Sequence, residues 1–270
     1  MLLVFRGGIS PIDRQYSSII PRRNPQRVNI GAAASSIKKH LIDANPEFSF
    51  SSIGFTWDFA QRHHIRRTFG LESISSKQNI LYYPIIVSVA VLNLFRVAKS
   101  RDWERIRSSG GIKGTLSQDF SGISHAISLV KATRMAQKWI QDGNREISKV
   151  IFLRPDVLLL KDIRLVDYSD EAIYCNNYMG NQGDFRWIVH PRFLSKFSYL
   201  FSALLRGQVV HEPHKWIAKY FEQENLPYMG DSLLAGVDEE VLRKVRSSGI
   251  PFEKVEFTGL SFSEFSRYPG

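Results

Sequence analysis

Short uninterrupted apolar runs alternate with longer stretches of helical spacing through the first 165 residues. MLLVF, residues 1–5, reads as a buried strand and is followed at once by the turn Arg6-Gly7-Gly8. Residues 10–30, rich in Ser, Pro, Arg and Asn, read as a loop. Ile37 and Leu41, four apart, predict a helix over 32–44. Phe48 to Phe55 predicts a second strand that stops at Thr56-Trp57-Asp58, and a polar region containing His63 and His64 follows. The longest apolar stretch is ILYYPIIVSVAVLNLF, residues 80–95. Pro84, Ser88 and Asn93 interrupt it, and it falls short of the roughly 18 to 20 apolar residues of a membrane span. It predicts a buried helix; the arginines after it also suit a segment that dips into a membrane surface. SSGGIKG, residues 108–114, reads as a loop. Ile123, Ala126, Ile127 and Val130 then form an apolar stripe that predicts a helix from an N-cap at Ser117 to about Gln141, ended by Asp142-Gly143-Asn144. KVIFLRPDVLLL, residues 149–160, predicts the next strand, with Arg154, Pro155 and Asp156 wedged between two apolar runs. Beyond it the pattern predicts strands at 172–175 and 187–189, a turn at 180–184, helices at 191–205 and 213–225, and a strand at 255–257.

Strands alternating with helices predict an α/β fold: a mostly parallel, Rossmann-like central sheet flanked by helices. Ligands of such sheets bind beyond the carboxyl ends of the strands. Three polar clusters fall at those ends: Arg6-Gly7-Gly8, Thr56-Trp57-Asp58 and Arg154-Pro155-Asp156. If the strands are parallel neighbours, the clusters meet on one edge of the sheet.

Composition narrows the partners. The chain carries 36 Lys and Arg against 26 Asp and Glu, a net charge of +10 that suits anionic ligands or surfaces. The basic residues are dispersed and no nucleic-acid-binding motif appears, so no nucleic-acid partner is expected, although a basic nucleic-acid-binding module is the rival reading of the charge. One cysteine, Cys175, excludes an intrachain disulfide, fits a reducing compartment such as the cytoplasm, and reads as a buried small hydrophobe. The apolar part of MLLVFRGG is too short for a secretory leader. Neither GxGxxG, GxxxxGK[ST] nor GxSxG occurs, which turns the reading away from dinucleotide folds, P-loop ATPases and serine hydrolases of that type.

Each candidate residue has two readings. Asp156 could ligate Mg²⁺ or Mn²⁺, which take one or two protein carboxylates and let substrate phosphates complete the shell. Arg154 could clamp a diphosphate or hold that carboxylate; alternatively the two form a salt bridge capping a strand. Gly7 and Gly8 allow close backbone approach to a ligand, or make a tight turn. Trp57 could stack on a base or pack against the core. Asp184 suits a catalytic or substrate-binding carboxylate, or an Asx turn. His211, Glu212 and His214 form a metal-like cluster without zinc-finger spacing, and His63-His64 reads as solvated loop.

In their order, SSIGFTWD (51–58), SQDFSGI (117–123), VIFLRPDV (150–157), Asp184 to Trp187 and His211-Glu212-Pro213 resemble the GT-A-fold, nucleotide-sugar-dependent glycosyltransferases of bacterial and viral surface polysaccharide biosynthesis. The resemblance covers roughly residues 1–225. It implies one domain over 1–270, with a nucleotide-binding half to about residue 165 and an acceptor-side half from about 166. It implies a hexosyltransferase-like activity that moves a sugar from a nucleotide-diphosphate donor to a glycan or lipid-linked acceptor, with Mn²⁺ or Mg²⁺, in the cytoplasm and in peripheral contact with the membrane. It gives Asp156 the metal- and diphosphate-binding role, with His211 as a second ligand. Arg6, Gly7, Trp57, Asp58, Gln118, Ser121 and Arg154 would bind the nucleotide-sugar. Asp184 or Glu212 would take the acceptor's proton, as an inverting transfer needs; a retaining transfer does not need that base in the same place. The usual Asp-x-Asp is absent, and Gly54 stands where the family has a histidine. A transferase-like chain that only binds a glycan is the alternative those departures leave.

Overall fold

The computed structural model describes residues 1–7, 30–57, 61–76, 83–101, 103–108, 110–178, 181–205, 217, 220–234 and 239–241. In chain order the elements are β1 (Leu2–Arg6), α1 (Ile30–Ile37, continued by a π-helical turn Lys38–Ile42), β2 (Ser51–Thr56), α2 (Arg62–Thr68), β3 (Ser73–Ser76), α3 (Tyr83–Lys99), α4 (Trp103–Ser108), α5 (Ile112–Asp142), β4 (Val150–Leu153), β5 (Val157–Leu159), β6 (Ile173–Tyr178), β7 (Asn181–Val189), α6 (Leu194–Phe197), α7 (Leu200–Leu205), β8 (Tyr228–Leu234) and β9 (Glu239–Val241). Seven strands form one sheet in the order β3-β2-β1-β4-β7-β6-β8, and β5 pairs with β9 in a separate ribbon. β1, β2, β3 and β4 are mutually parallel, β7 runs against both β4 and β6, and β8 is parallel to β6.

Side-chain alternation along β1 sorts the two faces. Leu2 and Val4 join the core made with α3 (Ile86, Val89) and α5 (Ile123, Ala126). Leu3 and Phe5 point the other way, into the core made with α1 (Ile30, Ala33, Ile37) and Ile65 of α2. The connections β1–α1–β2 and β2–α2–β3 thus cover one face, and the long connection through α3, α4 and α5 covers the other before entering β4. The sheet is wound in two directions from β1, the α/β arrangement expected from the alternating pattern.

Several local expectations need correction. The strand at 149–160 is two strands: β4 stops at Leu153, a turn closed by the Val157 N–H on the Arg154 carbonyl intervenes, and β5 leaves the main sheet. The long helix starts at Ile112, so Ser117 lies inside it and is no N-cap. Gly110 (φ 80°) and Gly111 (φ 88°) supply left-handed backbone that turns the chain into α5, with Gly111 at the N-cap. The strand at 187–189 begins earlier, at Asn181, because the hairpin with β6 pairs Tyr178 with Asn181 and Asn177 with Gln182. His63 and His64 are exposed but sit on α2 rather than in a loop. The helix at 191–205 is a 3₁₀ turn followed by α6 and α7. Of the helix at 213–225, residues 217 and 220–223 are helical among those described, and the strand at 255–257 lies outside the described residues. Gly54 has a packing reason: a Cβ there would come within 2.8 Å of Leu71 Cδ1, so a histidine would have to displace Leu71.

Candidate functional site

Strand order brings the sequence-predicted clusters to one edge. β1 and β4 are neighbours in register, Phe5 opposite Leu153, so Arg6, the last residue of β1, and Arg154, the residue after β4, stand at the same carboxyl edge. Connections leave β1 toward β2 and enter β4 from the opposite face, which makes the gap beyond β1 and β4 a topological switch point, the place where open α/β sheets bind ligands. β2 ends alongside, since Arg6 pairs with Phe55 and the Gly7 N–H donates to the Phe55 carbonyl at 3.2 Å.

At the end of β4, Arg154 Nε donates to Asp156 Oδ1 and a second Arg154 N–H donates to Oδ2, both at 3.0 Å. The Asp156 side chain is fully buried, while the Arg154 side chain keeps 22% of its surface. Of the two sequence readings, the ion pair is therefore formed, and it is bidentate, the geometry only a planar guanidinium gives. Arg6 is buried at 2% exposure at the end of β1, and Gly7 next to it takes φ 106°, a conformation open to glycine and costly for other residues. Trp57 is partly buried and meets the Phe55 ring edge-on at 5.1 Å, so it packs against the core at the rim.

Two buried charged residues at this edge were not predicted. Arg186 of β7 is fully buried and stands opposite Leu153, so the reversed strand adds a cation beside the end of β4. Its backbone N–H donates to Asn176 Oδ1 at 3.3 Å, and its guanidinium lies 6.0 Å over the Tyr168 ring. Asp119, at 3% exposure, lies on the same stripe of α5 as Ile123, four residues on. The sequence offers only a faint trace of either: a carboxylate four residues before Ile123, and an arginine directly before the apolar run Trp187–Val189.

The remaining candidates are placed by backbone or not at all. Asp184 lies within β7, two residues beyond Arg186 toward the carboxyl edge, on a strand rather than in a turn. Gln118 and Ser121 lie in the second and third turns of α5 rather than at its start. Asp58, His211 and Glu212 lie outside the described residues. A divalent cation finds little to bind as the site stands: both Asp156 oxygens accept from Arg154, the carboxylate has no solvent-exposed surface, and no group of three His, Cys, Asp or Glu suited to a metal occurs among the described residues.

Groups with displaced pKa values belong to the opposite, amino edge. The Lys149 ammonium, hydrogen-bonded to Asp170, holds that carboxyl below its usual range, and Arg192 does the same for Glu171 at 2.7 Å. Burial raises the Tyr228 hydroxyl and lowers the Met1 amino group. These serve strand ends remote from the switch point.

No protein-family model matches the chain. No curated protein matches it in sequence. Among solved structures that match is the apo crystal structure of mouse xyloside xylosyltransferase 1, at 12% identity and a TM-score of 0.33, over 84% of this chain and 76% of that one. Likeness at that level assigns no activity.

Proposed function

We propose that the chain is a nucleotide-sugar-dependent glycosyltransferase of GT-A-like fold, with its donor diphosphate at the switch point between β1 and β4. The observation that carries this reading is the bidentate Arg154–Asp156 pair, buried at a strand end next to Arg6 and Gly7. Glycosyl transfer breaks the bond between the anomeric carbon and the diphosphate oxygen as the acceptor oxygen bonds to that carbon. Negative charge grows on the leaving diphosphate, and cations already in place lower the barrier most. Arg6 and Arg154 would meet that charge, and the open backbone of Gly7 would let a phosphate approach closely. Asp156 would orient Arg154 rather than hold a metal. Asp184, on the reversed strand at the same edge, would accept the proton released by a glycan or lipid-linked acceptor.

A panel of UDP-, GDP-, dTDP- and CMP-sugars, assayed for nucleotide release with and without EDTA, tests this. One donor is expected to be hydrolysed slowly by the wild type and not by Asp156→Ala, with EDTA leaving the rate unchanged. A rate abolished by EDTA would return Asp156 to the metal. Donor binding without turnover would make the chain a glycan- or nucleotide-binding protein, and no binding of any nucleotide would overturn the reading.

A further inference from the structure

The exposed face of α3 is apolar, although the sequence pattern predicts a buried helix. Ile86, Val89, Ala90 and Val97 turn into the core. On the opposite side Ile85, Val91, Leu92 and Phe95 reach solvent, Phe95 with 68% of its surface. Their spacing of three, four and seven residues makes one stripe. α4, which packs on both α3 and α5, adds Trp103 at 52% exposure, and Ile112 at the start of α5 adds another exposed apolar group at 59%. A monomer rarely leaves so many large apolar side chains on one connection without a use for them.

The charge on this connection is one-sided. Between Tyr83 and Lys113 the sequence holds six basic residues and two acidic ones. Arg96 and Lys99 are exposed on the apolar side of α3, Arg101 takes the turn after it, and Arg107 and Lys113 flank the entry to α5. Apolar side chains bordered by Arg and Lys match the boundary of an anionic bilayer, where acyl chains receive the former and phosphates the latter. No helix among the described residues is long and apolar enough to cross a membrane. α3 therefore fits an interfacial helix that lies in the surface.

We infer that the exposed face of α3, with Trp103 and Ile112, docks the protein on an anionic lipid surface. This goes beyond the proposed transfer reaction and stands or falls without it.

Co-sedimentation of the full chain with phosphatidylcholine vesicles, with and without phosphatidylglycerol, tests the inference. Binding is expected only with phosphatidylglycerol. The double variants Leu92→Glu/Phe95→Glu and Arg96→Glu/Lys99→Glu should each weaken it by more than about tenfold. All four side chains are exposed, so circular dichroism should be unchanged; if the apolar pair nevertheless fails to fold, the charge pair decides alone. Absence of binding to anionic vesicles overturns the inference, as does binding that both variants leave intact. A concentration-dependent dimer in sedimentation velocity, abolished by Leu92→Glu/Phe95→Glu while vesicles stay unbound, would overturn it in favour of contact between two copies.

Discussion

Asp156 gives up all its water to face a guanidinium that keeps part of its own. Such a pair contributes little net stability relative to apolar packing but is costly to break from one side, because the other charge is left stranded. Its use is positional: two parallel hydrogen bonds fix the Arg154 fork in one plane. Arg154→Lys separates position from charge, since an ammonium keeps the charge but cannot span both oxygens. The variant should lose about 1–3 kcal/mol of stability in urea unfolding and about a hundredfold in donor turnover per folded molecule. Equal turnover at lower stability would reduce the pair to a strand cap. Arg6, Arg154 and Asp156 could be picked out as candidates in the sequence because they stand where apolar runs end. Asp119 and Arg186 were not, because one sits inside a helical stripe and the other inside a strand, where only the partner elements reveal which face is covered.

Among the elements, β1 and β4 could be read from their apolar runs, which are buried on both faces of the sheet. β3 could not: Ser73-Ile74-Ser75-Ser76 is mostly serine, an edge strand held by its ladder to β2 rather than by side-chain burial. The start of α5 was misplaced because two glycines in left-handed conformation do the work the sequence reading gave to a serine cap. Asn45 shows how a single polar side chain joins elements. Its amide donates to the Leu41 and Ile163 carbonyls and its carbonyl accepts from the Leu165 N–H, all at 2.6 Å, which fastens the chain after β5 to the end of the first helical segment. The Lys149–Asp170 pair similarly ties the entry of β4 to the loop before β6. Asp170 has its folded pKa below its ordinary value of 3.8, so between those values the unfolded chain binds more protons. The stability from this pair is present above the unfolded value and is lost as pH falls through the folded one. Half the Asp170 side chain is exposed, so screening keeps the contribution under about 1 kcal/mol. Urea midpoints followed from about pH 7 down to about pH 3 should therefore fall less steeply for Asp170→Asn than for the wild type.

At the scale of the whole molecule, the two halves implied by the resemblance share one sheet. β6, β7 and β8, all beyond residue 165, extend the sheet begun by β1 to β4, and Trp187 of β7 meets Phe197 and Phe221 at 5.9 and 5.6 Å in the core that also holds Leu2 and Val4. A boundary near residue 165 would cut through that core. The chain should accordingly unfold in one transition, with tryptophan fluorescence and far-ultraviolet circular dichroism giving coincident curves in urea. Separated curves would mean that the part beyond residue 165 is a domain of its own.

The interior position of β1 in the sheet also bears on how the protein is made. Leu2 pairs with Ser51 on one side and with Val150 on the other, so the strand leaves the ribosome well before either neighbour exists. Until β4 is synthesised, an almost wholly apolar segment waits with an open edge. Such a segment invites chaperones during translation and is a starting point for aggregation during refolding. The pairing that completes the sheet beside the candidate site is also the one that closes a large loop, and it belongs to the slow part of folding.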